Sequence, residues 1–301
     1  MPPPVLSGDV IRVVAPSGPF DPRLVWRGLG WLSERYRVRY DRGIFSRHGY
    51  LAGNDARRRD ELASALHEPG VAAIWCARGG VGANRYAHTI DFSTLRDEPR
   101  WLVGFSDITA LHIEAAAVKV MSLHAAHVTA LGRGDAVTRE QVTAQLADPA
   151  APVSIEGLPV LVPGLARGRL VGGNLALVHA CAVAGRLRWP GGAILFIEDI
   201  GERPYRIDRM LTTLLAGGHL DALGGLVLGE FTACGPGLDG VSVEAVVREL
   251  FADRGIPVVA GLPSGHGRQN QPLVLGANAT VRAKAGEGTL AWGNSNGTGV
   301  R

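Results

Sequence analysis

Four polar segments of this sequence stand where short apolar runs end. They are Ala77-Arg78-Gly79-Gly80-Val81-Gly82, Ser106-Asp107, Glu198-Asp199-Ile200-Gly201-Glu202 and Ser264-Gly265-His266-Gly267. Ligands of open α/β sheets gather at the carboxyl ends of strands, so these segments hold the first candidates for a site. Together they supply a hydroxyl, carboxylates, an imidazole and glycine-rich backbone, which are the groups that nucleophilic catalysis uses.

Ser106 has two possible roles, nucleophile or helix cap. It lies where an apolar run is predicted to turn into a helix, next to the backbone amide of Asp107. Serine is preferred at such N-caps because its oxygen accepts an otherwise unpaired N–H. The segment 104–108, GFSDI, lacks the second glycine of the GxSxG turn, so the local sequence alone favours the cap.

A nucleophilic serine needs a base, and the base needs an acid that fixes its tautomer. His266 is flanked by glycines at a predicted strand end, whereas four other histidines fall on helical stretches or their ends: His112, His124, His127 and His179. Glu198 and Asp199 leave a buried-type strand, where either could be the acid. Spacing does not choose between them, and an ion pair with Arg203 or Arg206 is the alternative role for both.

The turn at 78–82 could bind an anion through its backbone. Glycine allows the positive φ angles of an anion-binding nest, so the N–H groups of this turn could meet an oxyanion or a phosphate. The spacings GxGxxG and GxxxxGK[ST] are both absent, which argues against a nucleotide site.

The elements that must position these residues alternate between strands and helices. In the first half, strands are predicted at 10–16, 37–40, 71–76 and 100–105, and helices at 21–36, 54–67 and 107–120. In the second half, a glycine-rich turn is predicted at 171–174, followed by a helix that ends at 184. Further helices are predicted over 204–215 and 243–254, and strands at 193–197, 225–229 and 257–260. Short alternating runs follow at 273–275 and 279–281. This order predicts an α/β fold: an N-terminal Rossmann-like parallel sheet flanked by helices, then a C-terminal α/β domain with a β-rich antiparallel end.

Length and composition set the domain organisation. A chain of 301 residues suits two domains. The periodic pattern lapses from 141 to 163 into proline- and glycine-broken sequence, which predicts a connection. We therefore expect an N-terminal domain over 1–145, a linker over 146–164 and a C-terminal domain over 165–301.

Charge and cysteine usage exclude several classes of protein. The 31 basic and 28 acidic residues nearly balance, and the densest basic run, Arg57-Arg58-Arg59, is followed at once by Asp60 and Glu61, so no nucleic-acid-binding face is expected. The three cysteines lack CxxC spacing, which argues against a disulfide framework or a zinc site. No signal peptide and no run of about 18 apolar residues is visible. We expect a soluble cytoplasmic protein that binds neither nucleic acid nor membrane.

Six segments together resemble the LD-carboxypeptidase family of serine peptidases, which includes muramoyltetrapeptide carboxypeptidases and microcin C self-immunity peptidases. In chain order they are 13–18 (VVAPSG), 77–82 (ARGGVG), 104–111 (GFSDITAL), 172–175 (GGNL), 196–202 (FIEDIGE) and 265–267 (GHG). Each segment is short, but the six in this order span nearly the whole chain and are specific.

The resemblance implies a Ser-His-Glu triad with Ser106 as nucleophile, His266 as base and Glu198 as acid, the choice that spacing left open. It also implies an active site between the two domains, with an oxyanion hole made by the Asp107 amide and an amide of the Gly79-Gly80 turn. No metal and no cofactor is implied.

The substrate that the resemblance implies is a murein tetrapeptide, cleaved between the L-centre of diaminopimelate or lysine and the terminal D-alanine during cell-wall recycling. Such enzymes are typically cytoplasmic homodimers. A carboxypeptidase must also bind a free carboxylate, for which Arg78, Arg203 and Arg268 are candidates, and Asn174 is a further candidate for substrate binding.

Three alternatives remain. The microcin C branch of the family cleaves peptidyl-nucleotides and carries an extra loop with an aromatic residue. The short connection at 141–163 leaves little room for such a loop in this chain. Other N-acyl amino acids stay open as substrates. A non-catalytic protein could close two domains on a small peptide or phosphate with the same glycine turns. A thiol nucleophile at Cys76 is disfavoured, because Cys76 lies inside an apolar strand pattern.

Overall fold

The computed structural model describes residues 1–284 and 286–293. The strands in chain order are β1 (Val10–Val14), β2 (Arg37–Tyr40), β3 (Val71–Cys76), β4 (Trp101–Gly104), β5 (Ser122–His124), β6 (Val153–Leu158), β7 (Val160–Val162), β8 (Gly164–Asn174), β9 (Ala193–Ile200), β10 (Leu223–Thr232), β11 (Val258–Val259), β12 (Leu273–Leu275), β13 (Asn278–Lys284) and β14 (Glu287–Trp292). The α-helices are α1 (Pro22–Ser33), α2 (Asp55–His67), α3 (Thr94–Asp97), α4 (Thr109–Ala117), α5 (Val128–Leu131), α6 (Ala136–Ala147), α7 (Leu175–Val183), α8 (Pro204–Ala216) and α9 (Val243–Phe251). Within these ranges, no helix is long and apolar enough to cross a membrane.

The first sheet has the strand order β12-β5-β4-β3-β1-β2. Strands β1 to β5 are parallel, and β12 is antiparallel to β5. Every residue of β1 is buried, as expected for a parallel strand covered on both faces. The side chains of Asp21 and Asn54 cap the intervening helices α1 and α2. The predicted α/β fold with a parallel N-terminal sheet is confirmed.

Two details after β4 differ from the prediction. The helix expected over 107–120 begins as a 3-10 turn over Ser106–Ile108 and continues as α4. It is followed by β5, a strand of three residues that is too short to show a hydrophobic period. His124, expected on or beside a helix, therefore lies in the buried strand β5.

The second sheet has the order β6-β14-β13-β8-β9-β10-β11-β7. Strands β8 to β11 are parallel, and the other four pair antiparallel at its two sides. The segment 171–174, predicted as a turn, is the end of β8. Gly172 and Gly173 adopt positive φ angles there, and a Cβ at Gly172 would collide with the carbonyl oxygen of Phe196. The glycines therefore allow two strands to approach closely and do not turn the chain.

The connecting stretch has more structure than its composition predicted. The first part of this stretch, 141–147, belongs to α6. Strand β6 forms one edge of the second sheet, and β7 forms the opposite edge. The prolines and glycines of this stretch bound short strands. The predicted domain bounds, 1–145 and 165–301 with a linker over 146–164, stay predictions. Residues 146–164 connect the first sheet to the second.

One hydrophobic cluster joins the two sheets. It includes Trp75 and Leu123 of the first sheet and Phe196 and Val227 of the second. Strand β12, which comes from the C-terminal half, forms an edge of the first sheet, so it is not part of the antiparallel end where the sequence placed it. This packing holds the carboxyl end of β4 against that of β9, and these are the strands that precede Ser106 and carry Glu198.

Candidate active site

Ser106, His266 and Glu198 meet where the two sheets pack. The Nε2 atom of His266 lies 3.0 Å from Oγ of Ser106, and its Nδ1 atom lies 2.6 Å from Oε2 of Glu198. Glu198 is fully buried; burial raises the pKa of its carboxyl, and the hydrogen bond from His266 opposes that rise. With Nδ1–H donating to Glu198, Nε2 is free to accept the serine proton, as in a Ser-His-acid triad.

The backbone of Ser106 is held in a left-handed conformation. Its φ angle is +64°, and among the described residues only Lys119 and Ala233 are further non-glycine residues with a positive φ angle. Such a conformation costs about 1–3 kcal/mol and is found mainly at functional sites. Ser106 does not cap α4, because Ile108 occupies the N-cap position and no side chain accepts a hydrogen bond there. The sharp turn after β4 instead directs Oγ at His266.

Phe105 and His127 pack together beside the turn that carries Ser106. The imidazole of His127 stacks on the ring of Phe105 with centroids 4.1 Å apart, and its Nε2–H donates to the carbonyl oxygen of Phe105 over 2.8 Å. The Phe105 ring also lies 4.9 Å from the ring of His266. Sequence reasoning missed His127, because a histidine at the start of a short helix carries no signal that distinguishes it from other core residues.

The glycine turn lies directly against the nucleophile. A Cβ at Gly79 would lie 3.0 Å from Cβ of Ser106, so there is no room for a side chain. The carbonyl oxygen of Gly79 accepts from the N–H of Gly18 over 3.0 Å. A trans peptide directs its N–H opposite to its C=O, so the Gly80 N–H points away from Gly18. No protein group in the described part of the chain accepts from that N–H, which leaves it available to an anion.

Asp107 links the two candidate oxyanion donors. Its carboxylate is buried and accepts from the N–H of Ala83 over 2.8 Å, which ties the far end of the glycine turn to the residue after Ser106. Burial raises the pKa of this carboxyl. The backbone amide of Asp107 lies at the start of the 3-10 turn, where N–H groups lack intrahelical partners.

We expect Gly79→Ala to lower kcat by about 10- to 100-fold. The new Cβ would meet Ser106 and, at 3.1 Å, the carbonyl oxygen of Phe105, so the turn must shift by a few tenths of an ångström. Gly30→Ala is the matched control, because Gly30 is exposed in α1 and has no atom within 4 Å of its Cβ position. Steady-state kinetics of both variants would check this, and equal activities would contradict it.

Asn174 and Asp199 form a hydrogen-bond network beside Glu198. The Nδ2 of Asn174 donates to Asp199 over 3.0 Å, its Oδ1 accepts from Leu177, and its backbone N–H donates to Oγ1 of Thr109 over 2.9 Å. Asp199 therefore faces α7, away from His266. Asn174 is 4% exposed; its side chain joins β8 to β9 and α7, and its backbone N–H joins β8 to α4. Its part in substrate binding stays a prediction.

The three candidate arginines lie at the surface, close in sequence to the glycine turn or to segments that carry the triad. Arg78 precedes Gly79 and donates to the carbonyl oxygen of Pro19, Arg203 occupies the N-cap position of α8, and Arg268 lies two residues after His266. All three are exposed, and none forms an ion pair with another described residue. Each remains available to a substrate carboxylate.

Buried thiols do not offer a second nucleophile. Cys76, Cys181 and Cys234 are all free and buried, and burial raises the pKa of Cys76. The thiolate that a thiol mechanism requires is therefore disfavoured. Among the described residues, no three His, Cys, Asp or Glu side chains cluster in a way that could hold a metal ion.

Two buried histidines near the site predict acid sensitivity. Burial lowers the pKa of His112 to about 4 and that of His127 to about 3, whereas both titrate near 6.5 when unfolded. Below pH 6.5 the two imidazoles bind protons in the unfolded chain but stay neutral in the folded chain. The stability that these neutral rings contribute is thus complete above pH 6.5 and is lost as the pH falls toward 4, by up to about 1.4 kcal/mol per pH unit for each ring.

Urea unfolding of the wild type and His112→Gln at pH 7.5, 6.0 and 5.0 would test this acid sensitivity. The difference between the two proteins isolates the His112 contribution from that of the carboxyls. We expect the variant to lose stability less steeply over this range, and identical slopes would contradict the prediction.

Comparison with known proteins identifies the family to which both halves of the chain are similar. Residues 11–125 match the LD-carboxypeptidase N-terminal domain, and residues 167–281 match the LD-carboxypeptidase C-terminal domain. The chain is 34% identical to the murein tetrapeptide carboxypeptidase of Pseudomonas aeruginosa, over 80% of this chain and 82% of that one. It is 33% identical to a Bacillus subtilis protein described as a "probable murein peptide carboxypeptidase", over 97% and 94%. The crystal structure of muramoyltetrapeptide carboxypeptidase from Oxalobacter formigenes superposes with a TM-score of 0.85 at 31% identity, over 95% of this chain and 99% of that one.

Proposed function

This chain belongs to the LD-carboxypeptidase family and is a carboxypeptidase, and we propose that it is a serine enzyme that releases the terminal D-alanine of a murein tetrapeptide. The observation that carries the proposal is the hydrogen-bonded series Ser106, His266 and Glu198, with Ser106 on a strained backbone. Names of relatives support the substrate class, because two of them are carboxypeptidases of murein peptides.

The proposed reaction uses these residues in turn. His266 Nε2 accepts the proton of Ser106 as Oγ attacks the carbonyl carbon of the L,D-peptide bond, and Glu198 stabilises the imidazolium. The negative charge that develops on the carbonyl oxygen is stabilised by the amides of Gly80 and Asp107. The C–N bond then breaks, and His266 returns the proton to the amine of the departing D-alanine.

Hydrolysis of the acyl-enzyme repeats these steps with water. His266 takes a proton from the water that attacks the ester of Ser106, and then gives a proton to Oγ as the ester bond breaks. The product is the tripeptide with a new terminal carboxylate. An exposed arginine beside the site, Arg78, Arg203 or Arg268, binds the carboxylate of the D-alanine before cleavage.

The proposal is tested by measuring D-alanine release from L-Ala-γ-D-Glu-meso-diaminopimelyl-D-Ala. We expect release by the wild type, unaffected by a chelator, and a loss of about 10⁴-fold or more in His266→Ala, because no other side chain of the described residues forms a hydrogen bond with Oγ of Ser106. Full activity of His266→Ala, or loss of wild-type activity on chelation, would contradict a serine mechanism.

The family resemblance also leads us to propose a homodimer that works in the cytoplasm on a small peptide, without a nucleic-acid or membrane partner. Sedimentation equilibrium of the purified protein would give its oligomeric state directly.

A further inference from the structure

His266 is flanked by two glycines, and each of them faces a carboxylate. A Cβ at Gly265 would lie 2.8 Å from Oε2 of Glu198, and a Cβ at Gly267 would lie 2.7 Å from Oε2 of Glu230. Any other residue type at either position would displace a carboxylate from beside the histidine. Glu198 is the proposed acid of the triad, whereas Glu230 has no part in that chemistry.

A β-bulge directs Glu230 to the same face of the sheet as Glu198. The register of β10 against β9 shifts between Leu228 and Phe231, so that residues 229 and 230 together lie opposite Glu198. Leu228 and Phe231 both pack in the cluster that the helices cover. The two residues between them therefore face the first sheet, as Glu198 does. Bulges of this kind reorient side chains beside active sites.

The carboxylate of Glu230 has no partner. It is half-buried, and among the described residues no side chain or backbone N–H donates to it and no cation pairs with it. The nearby Glu202 differs, because it lies 3.5 Å from Arg206. A carboxylate without a partner, partly shielded from water, binds a cationic group through a charge-assisted hydrogen bond.

The substrate proposed above supplies such a cation next to the bond that is cut. The residue whose carbonyl Ser106 attacks is diaminopimelate or lysine, and both carry an ammonium group at the far end of the side chain. This step rests on the proposed function. We propose that Glu230 binds this side-chain ammonium and thereby selects a diamino acid at the position before D-alanine.

A different role for Glu230 makes a different prediction. If its charge acted only on the imidazolium of His266, its loss would slow every substrate alike. If it binds the ammonium, its loss matters only for substrates that carry one. A pair of peptides that differ only in this group therefore separates the two roles.

The experiment compares L-Ala-γ-D-Glu-L-Lys-D-Ala with the same peptide containing norleucine, which lacks the amine. D-alanine release is measured for the wild type, Glu230→Gln, Glu202→Gln and the exposed control Glu287→Gln. We expect the wild type to prefer the lysine peptide by about 10- to 100-fold in kcat/KM, the size of one charge-assisted hydrogen bond. In Glu230→Gln that preference should fall to less than about threefold through loss on the lysine peptide, and the other two variants should keep it.

Three results would overturn the assignment: no preference in the wild type, equal losses on both peptides in Glu230→Gln, or a preference that disappears in Glu202→Gln instead. If the wild type cleaves neither peptide, calorimetry still tests Glu230, and the proposed function fails only if the diaminopimelate peptide above is not cleaved either. Ser106→Ala should then bind the lysine peptide more tightly than the norleucine peptide, and the double variant with Glu230→Gln should bind both alike. Equal affinities in Ser106→Ala would reject the ammonium site.

Discussion

Replacing Ser106 with alanine should lower kcat for D-alanine release by about 10⁴- to 10⁶-fold, the largest effect we expect from any single substitution. The change removes the hydroxyl oxygen that lies 3.0 Å from Nε2 of His266. The oxyanion donors and the substrate-binding groups remain, so binding should persist while the chemical step is lost. Single-turnover measurements with the tetrapeptide would show no acyl-enzyme.

The fold should tolerate this substitution. Alanine at φ +64° bears the same backbone strain as serine, and no cap is lost because Ser106 does not cap a helix. We expect a melting temperature close to that of the wild type. Ser154→Ala is the matched control, since Ser154 is exposed on β6, and it should keep full activity. Activity above one per cent in Ser106→Ala would rule out the serine mechanism.

Glu198→Gln is expected to lower kcat by about 10⁴-fold. Glutamine keeps the shape of the side chain, but its amide can donate to Nδ1 of His266 and so favour the tautomer that carries the proton on Nε2. That tautomer cannot accept the proton of Ser106. It also leaves the imidazolium that forms during attack without a buried negative charge beside it.

Asp199→Asn distinguishes the two carboxylates that spacing could not separate. Asp199 accepts from Asn174, Ala176 and Ile200, so the change should lower the free energy of unfolding by about 1–3 kcal/mol. Activity well below the melting temperature should fall far less than in Glu198→Gln. Kinetics and urea unfolding of both variants check this, and the opposite ranking would assign the acid of the triad to Asp199.

Local pattern was enough to predict most of the elements. Apolar β-branched runs such as 71–76 and 193–197 became strands, because burial on both faces of a parallel sheet requires such residues. The prediction missed helix α6 (Ala136–Ala147) and the strands β6 and β14, and it also missed β5 and the end of β8. Strand β5 has only three residues, and the end of β8 contains glycines that local rules assign to a turn.

The active-site chemistry could be predicted only in part. The positions of Ser106 and His266 at strand ends identified them as candidates, but Glu198 and Asp199 remained equivalent until the family resemblance chose one. The structure shows the physical difference: alternate residues of a strand point to opposite faces, so one acid faces His266 and its neighbour faces α7.

The sequence by itself determined the α/β class, the residue types at the strand ends and the glycines beside them, because these depend on local periodicity and on backbone freedom. Only the tertiary structure decided which side chains meet. Ser106 and His266 are 160 residues apart in the chain, and their 3.0 Å contact depends on how two sheets pack through a shared core. The pairing of β10 with β9 decided that a bulge turns Glu230 toward the site, since register is a property of paired strands and of neither strand alone.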